Sequence, residues 1–151
     1  MYKNESDIKF FITESIFKLL ENKEIDNITI KEVSELSNIS RTTFYNNFNN
    51  ISDAINYKLN ILIDEIYSLY LLNKLRKRSL DYLAKDIINY VDKNRKYFLI
   101  IKNQLFFYFK RLLDDFFLNN VSENIKYYKV SGSIINLCIA YLDNNINKKD
   151  I

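Results

Sequence analysis

Apolar residues at Ile8, Phe11, Ile12, Ile16, Leu19 and Leu20 repeat with the three- and four-residue steps of one helical stripe. They predict a first helix that is capped by Ser6 and ends near Asn22. A second, short helix is predicted to open at Thr29, where the hydroxyl of Thr29 and the carboxylate of Glu32 form a capping box; Val33 and Leu36 then face inward. Ser37-Asn38-Ile39-Ser40 breaks that pattern, because Asn tolerates the left-handed backbone and Ser40 can cap a third helix running from Arg41 to about Phe48. After a polar break at Asn49 to Ser52, the residues Ile55, Leu59, Leu62, Ile63 and Ile66 restart the period in a longer helix towards Leu72, which is expected to bridge two domains. Further helices are predicted at about Ser79 to Lys93, Arg95 to Lys102, Gln104 to Asn119 and Ser122 to Asn144.

Composition supports an all-α reading. The 151 residues include no Pro and only one Gly, so the usual punctuation of sheets and tight turns is missing. The same counts exclude much chemistry. With no His and one Cys, Cys138, the chain can form neither a His-based acid/base pair, nor a Cys/His zinc cluster, nor an internal disulfide. Asp114 and Asp115 are adjacent and so point apart on a helix, and no carboxylate pair has catalytic spacing. No enzyme activity, metal or cofactor is expected. Glu5 and Asp7 follow Met1 where a secretory signal would be basic, and no apolar run approaches the length of a membrane span. A cytoplasmic protein without a membrane partner is therefore expected.

The third helix carries the most informative pattern. On a helical wheel, Phe44 and Phe48 share one face; Thr42, Thr43 and Asn46 occupy the opposite face, with Tyr45 and Asn47 at its margins. Small Ser34 stands four residues before Asn38, where two helices of a helix-turn-helix must cross closely, and Val33, Ile39 and Phe44 fall where such a unit needs its core. Thr and Asn can read base edges, and Tyr45 can bond a phosphate.

The stretch from Thr29 to Ile55, TIKEVSELSNISRTTFYNNFNNISDAI, resembles the DNA-binding domain of TetR-type (TetR/AcrR) transcriptional regulators. The resemblance rests on Ser40, Arg41, Thr43, Phe44, Tyr45 and Phe48, which match a Ser-Arg-x-Thr-Phe-Tyr-x-x-Phe recognition helix, and extends over roughly the first third of the chain. It implies a helix-turn-helix DNA-binding domain at residues 1–51 and a helical-bundle dimerisation and effector domain at residues 52–151. The implied protein is a repressor that binds a palindromic operator in double-stranded DNA as a homodimer. Thr42, Thr43 and Asn46 would read bases, while Lys31, Arg41, Tyr45 and Asn47 would hold phosphates. The chain departs from the family pattern at three points: Asn38 replaces the turn Gly, Asn47 replaces a His, and Ile51 replaces the Lys that commonly starts the fourth helix. The amides after Ser52 are left as the phosphate site there. Set against the family pattern, the usual last helix is expected to be absent or severely shortened after Asn144.

Charge does not follow this assignment. Residues 1–58 carry seven basic and nine acidic side chains, whereas the basic surplus lies between Lys74 and Arg111, where eleven Lys and Arg face Asp81, Asp86 and Asp92. The reading head is thus slightly acidic, which favours an alternative: a helical co-regulator of the same fold that acts through a partner protein.

In the C-terminal part, the run from Leu105 to Phe117 is apolar nearly all round, so burial on more than one side is expected. Ordinary core is the plainer reading of its rings. The sharper one is a cavity for a mostly apolar effector, neutral or anionic, lined by Tyr67, Tyr90, Phe106 and Phe109 near the basic segment. In the last helix, Tyr128, Gly132, Ile135 and Ile139 form a stripe expected to meet a second copy of the chain, with Gly132 at a close helix crossing. Cys138 is expected to be an inert buried residue.

Overall fold

The computed structural model describes residues 4–120 and 124–150, with side chains described over 4–120 and 129–149. Among the described residues every regular element is helical: α1 (Glu5–Leu20), α2 (Ile30–Ser37), α3 (Arg41–Asn47), α4 (Ile51–Leu75), α5 (Leu80–Lys93), α6 (Arg95–Ile100), α7 (Phe106–Asn120) and α8 (Asn124–Leu142). None of these helices is long and apolar enough to cross a membrane. The chain divides into two compact units, Met1–Asn60 and Ile61–Ile151.

In the first unit, α1 packs on α2 and α3, and these two also pack on each other. Its centre is Ile12, Ile16, Phe17, Leu20, Val33, Phe44, Ala54, Ile55 and Leu59, all buried. Lys58 is buried as well, and its ammonium bonds the Glu14 carboxylate at 3.1 Å while lying over the Phe10 ring. Two details differ from the sequence pattern. Asn4 caps α1 by accepting the Asp7 amide at 2.9 Å, in place of the expected Ser6. Phe11 and Leu36, placed inward by periodicity, are exposed; both flank an apolar stripe that is complete without them.

In the second unit, α8 packs on α5 and α7. The core gathers Ile87, Ile88, Val91, Phe98, Ile101, Leu105, Phe109, Leu113, Phe117, Ile134 and Cys138. Burial pushes the Cys138 thiol up to about 12, which keeps it protonated. The expected break between Lys102 and Gln104 is absent, because a π-helical turn, Ile101–Leu105, carries α6 directly into α7. That added residue per turn shifts which faces are covered. Only one stripe of α7, Phe109, Leu113 and Phe117, is buried. Phe107 is 84% exposed, so burial of this run on more than one side is not met within the single chain.

A Cβ built on Gly132 meets nothing within 4 Å among the described residues, so a close crossing at this glycine would have to be made with a second copy of the chain. Because Gly destabilises a helix interior by roughly 0.5–1 kcal/mol relative to Ala, Gly132→Ala is expected to raise thermal stability by about that amount. A destabilised variant would instead place a second copy of the chain against this glycine.

Candidate nucleic-acid interface

The orientation of α3 is set by three local devices. At the start of α2, Thr29 Oγ1 accepts the Glu32 amide at 3.3 Å and Glu32 Oε2 accepts the Thr29 amide at 3.0 Å. The Lys23 ammonium bonds the same carboxylate, and together these donors hold Glu32 down at about 2 from its ordinary 4.5. Between the helices, Asn38 takes the left-handed conformation at φ 55° and ψ 43°, and the Ile39 amide donates to Ser34 O at 3.0 Å, closing α2. At the start of α3, Ser40 Oγ accepts the Thr43 amide at 2.9 Å.

The Glu32 bonds make a pH prediction. A carboxyl whose folded pKa is depressed contributes stability above its unfolded pKa and loses it as pH falls through the folded one. The contribution of Glu32 is therefore full above about pH 4.5 and disappears as pH falls towards 2. A carbon NMR titration of the Glu32 carboxyl checks this: a midpoint near the ordinary 4.5 would remove first the Lys23 contact and then the Thr29 box as bonds to a charged carboxylate.

With α3 so held, Phe44 and Phe48 face the core at 0% and 5% exposure, their rings 6.2 Å apart. Arg41, Thr42, Tyr45 and Asn46 are exposed. Thr43 and Asn47 are half-buried and already bonded. The Thr43 hydroxyl pairs with Ser40 Oγ at 2.8 Å, and Asn47 Nδ2 donates to Thr43 O at 2.8 Å. Asn47 Oδ1 is buried with no partner. The most accessible part of the expected contact set is thus Arg41, Thr42, Tyr45 and Asn46. Lys31 is exposed on α2 and lies 3.9 Å from Glu35. An exposed pair of this kind is worth at most about 1 kcal/mol, so it does not keep the ammonium from a stronger anion.

The start of α4 is less open to an anion than its sequence suggested. Asn50 Oδ1 accepts the Asp53 amide at 2.8 Å, and Asp53 Oδ2 accepts from both the backbone amide and the side chain of Asn49 at 3.0 Å. The first turn is capped by its own side chains and carries a carboxylate, which favourably occupies the positive helix end and repels phosphate. The Asn50-x-x-Asp53 spacing was the available signal for this cap.

The expected effector rings fall into separate clusters in the second unit. Tyr67 packs on Tyr70, Phe116 and Phe117, with its hydroxyl donating to Asn120 O at 3.1 Å. Tyr90 packs edge-on against Phe98, which in turn meets Phe109. Phe106 and Phe109 line a cleft of only about 20 Å³ with Ile135 and Ile139. A larger cleft, about 310 Å³, lies elsewhere, between α5, α8 and Tyr70 of α4. Of the expected dimer stripe, Ile135 is 5% exposed and is already core of its own chain; Ile139 is half-buried; the side chain of Tyr128 lies outside the described residues. No group of three or more His, Cys, Asp or Glu suited to a metal occurs among the described residues.

Comparison of the chain with protein-family models, with curated proteins and with solved structures gave no significant match.

Proposed function

We propose that this chain is a sequence-specific DNA-binding transcription regulator of the TetR type, a repressor that binds a palindromic operator as a homodimer. In this reading α2, the Asn38 turn and α3 form the helix-turn-helix, followed by a helical dimerisation and effector domain. The observation that carries it is the two-sidedness of α3: Phe44 and Phe48 are buried while Arg41, Thr42, Tyr45 and Asn46 are exposed. A short helix anchored by rings on one side and presenting uncharged donors, methyls and one guanidinium on the other suits the major groove. Arg41, Tyr45 and Lys31 hold phosphates; Thr42, Thr43 and Asn46 read bases, with Thr43 offering its methyl while its hydroxyl stays on Ser40. Asn47 takes up its phosphate by leaving the Thr43 carbonyl.

Operator-selection experiments test this division. Thr43→Ala is expected to change the preferred operator, whereas Lys31→Ala should weaken all sequences alike and reduce the salt slope by about one phosphate. A Thr43→Ala chain with wild-type preference would contradict the base-reading assignment. The second reading, a co-regulator acting through a partner protein, is favoured by one observation: the Asp53 carboxylate sits in the first turn of α4, where a phosphate would otherwise bind.

A further inference from the structure

We propose that the corner joining α4 to α5 docks on an anionic lipid surface, with Leu75 and Leu80 entering the hydrocarbon boundary and the cations around them meeting the head groups. The proposal concerns the second unit alone and does not depend on DNA binding. None of the described helices can cross a membrane, but lying on one needs only protruding apolar side chains with positive charge beside them. All nine residues from Lys74 to Tyr82 are exposed. Leu75 and Leu80 stand out at 78% and 76% exposure, and Tyr82, Leu71 and Leu72 are exposed beside them. Single exposed leucines are ordinary, but these five large apolar side chains fall within twelve residues and form a patch. The turn between them is held by its own backbone. Lys77 takes the left-handed conformation at φ 50°, its amide donates to Lys74 O at 3.1 Å, and the Arg78 amide donates to Asn73 O at 3.1 Å.

Positive charge surrounds the leucines. From Ile66 to Lys85 the chain carries Lys74, Arg76, Lys77, Arg78 and Lys85 against Asp81 alone. Lys74, Arg76, Lys77 and Arg78 form no ion pair among the described residues, and the Arg78 guanidinium lies over the Tyr82 ring at 5.4 Å. An anionic bilayer complements both halves of this patch. The stems of Lys and Arg lie along the leucines while their charges stay among the head groups, and a Tyr ring is favoured at the same depth. A run exposed at every position offers no groove to hold the side chains of an acidic protein, whereas a lipid surface needs none. Leucine insertion and cation attraction are each weak, and together they give stable binding.

Flotation of the full chain with vesicles of phosphatidylcholine alone, and with equimolar phosphatidylcholine and phosphatidylglycerol, tests the assignment. Wild type is expected to float with the anionic vesicles and not with the neutral ones. Arg76→Gln, Lys77→Gln and Arg78→Gln together should weaken binding about 100-fold, at about fivefold per charge. Leu75→Ser with Leu80→Ser, both at exposed positions, should weaken it at least about tenfold. The chain has no Trp, so Leu75→Trp adds a single reporter. Its emission should shift to the blue on anionic vesicles, whereas that of Phe107→Trp, at an exposed position on α7, should not. Failure of wild type to float, equal flotation with both vesicles, or flotation indifferent to the leucines would overturn the proposal. So would a chain that ignores vesicles but forms a dimer dissociated by the serine pair, or binds DNA less tightly in the glutamine variant. The corner would then serve a second copy of the chain or a nucleic acid.

Discussion

Replacing Phe44 with alanine is expected to destabilise the N-terminal unit by about 3–5 kcal/mol, as buried Phe-to-Ala changes do. Phe44 has no exposed surface, and it touches Tyr45 edge-on at 5.8 Å and Phe48 at 6.2 Å. Phe48 in turn meets Tyr57 of α4 at 5.5 Å. Removing the Phe44 ring therefore opens a cavity beneath α3 and frees the helix from its anchor. Small proteins have only about 5–15 kcal/mol of total stability, so the loss should appear as a large drop in the urea midpoint, accompanied by loss of any DNA binding. A change below about 1 kcal/mol, the size of an ordinary surface substitution, would mean that α3 is held in some other way.

The second large effect separates binding from folding. Arg41→Ala with Tyr45→Ala removes two exposed side chains, and Tyr45 is 58% exposed. Stability should change by about 1 kcal/mol or less. If each side chain supplies one hydrogen bond to a charged phosphate, worth about 1.5 kcal/mol, affinity should fall about 100-fold for each half-site of the operator. Anisotropy titrations beside urea melts measure both quantities on the same preparation. Equal DNA affinity for the double variant and wild type would remove α3 as the contact surface.

These two experiments rest on features that were readable in the sequence because their chemistry is local. Thr29 with Glu32, Asn38 in the left-handed turn, and Ser40 before Arg41 all act within three or four residues of themselves, and the spacing alone states the bond. The inward placement of Phe44 and Phe48 follows from the same short range. Periodicity was weaker at the margins of stripes. It gives the direction of a face but not its width, so Phe11 and Leu36 were placed inside although α1 and α2 close without them. Asn4 and Ser6 are both competent caps, and only the backbone decides between them.

In the second unit the difficulty was long-range. The π-helical turn at Ile101–Leu105 joins α6 to α7 where the spacing predicts a break, and Phe107 stands on a face of α7 that no described residue of the chain covers. The grouping of aromatic rings depends on which helices meet. Tyr67 joins Phe116 and Phe117, whereas Tyr90 joins Phe98, and nothing in their spacing distinguishes these outcomes. A glycine inside a helix predicts a close crossing but does not name the partner, and at Gly132 no described residue of the same chain supplies one.

The central claim is sequence-specific DNA recognition, and it is tested most directly by the salt dependence of binding to the DNA upstream of the gene, with a shuffled duplex of equal length as reference. The account predicts affinity for the upstream DNA about 1,000-fold or more above that for the shuffled duplex at physiological salt. Both should fall linearly in log affinity against log salt, as released phosphate counterions require. Equal, weak affinity for the two duplexes would contradict the account and leave the partner-protein reading in its place.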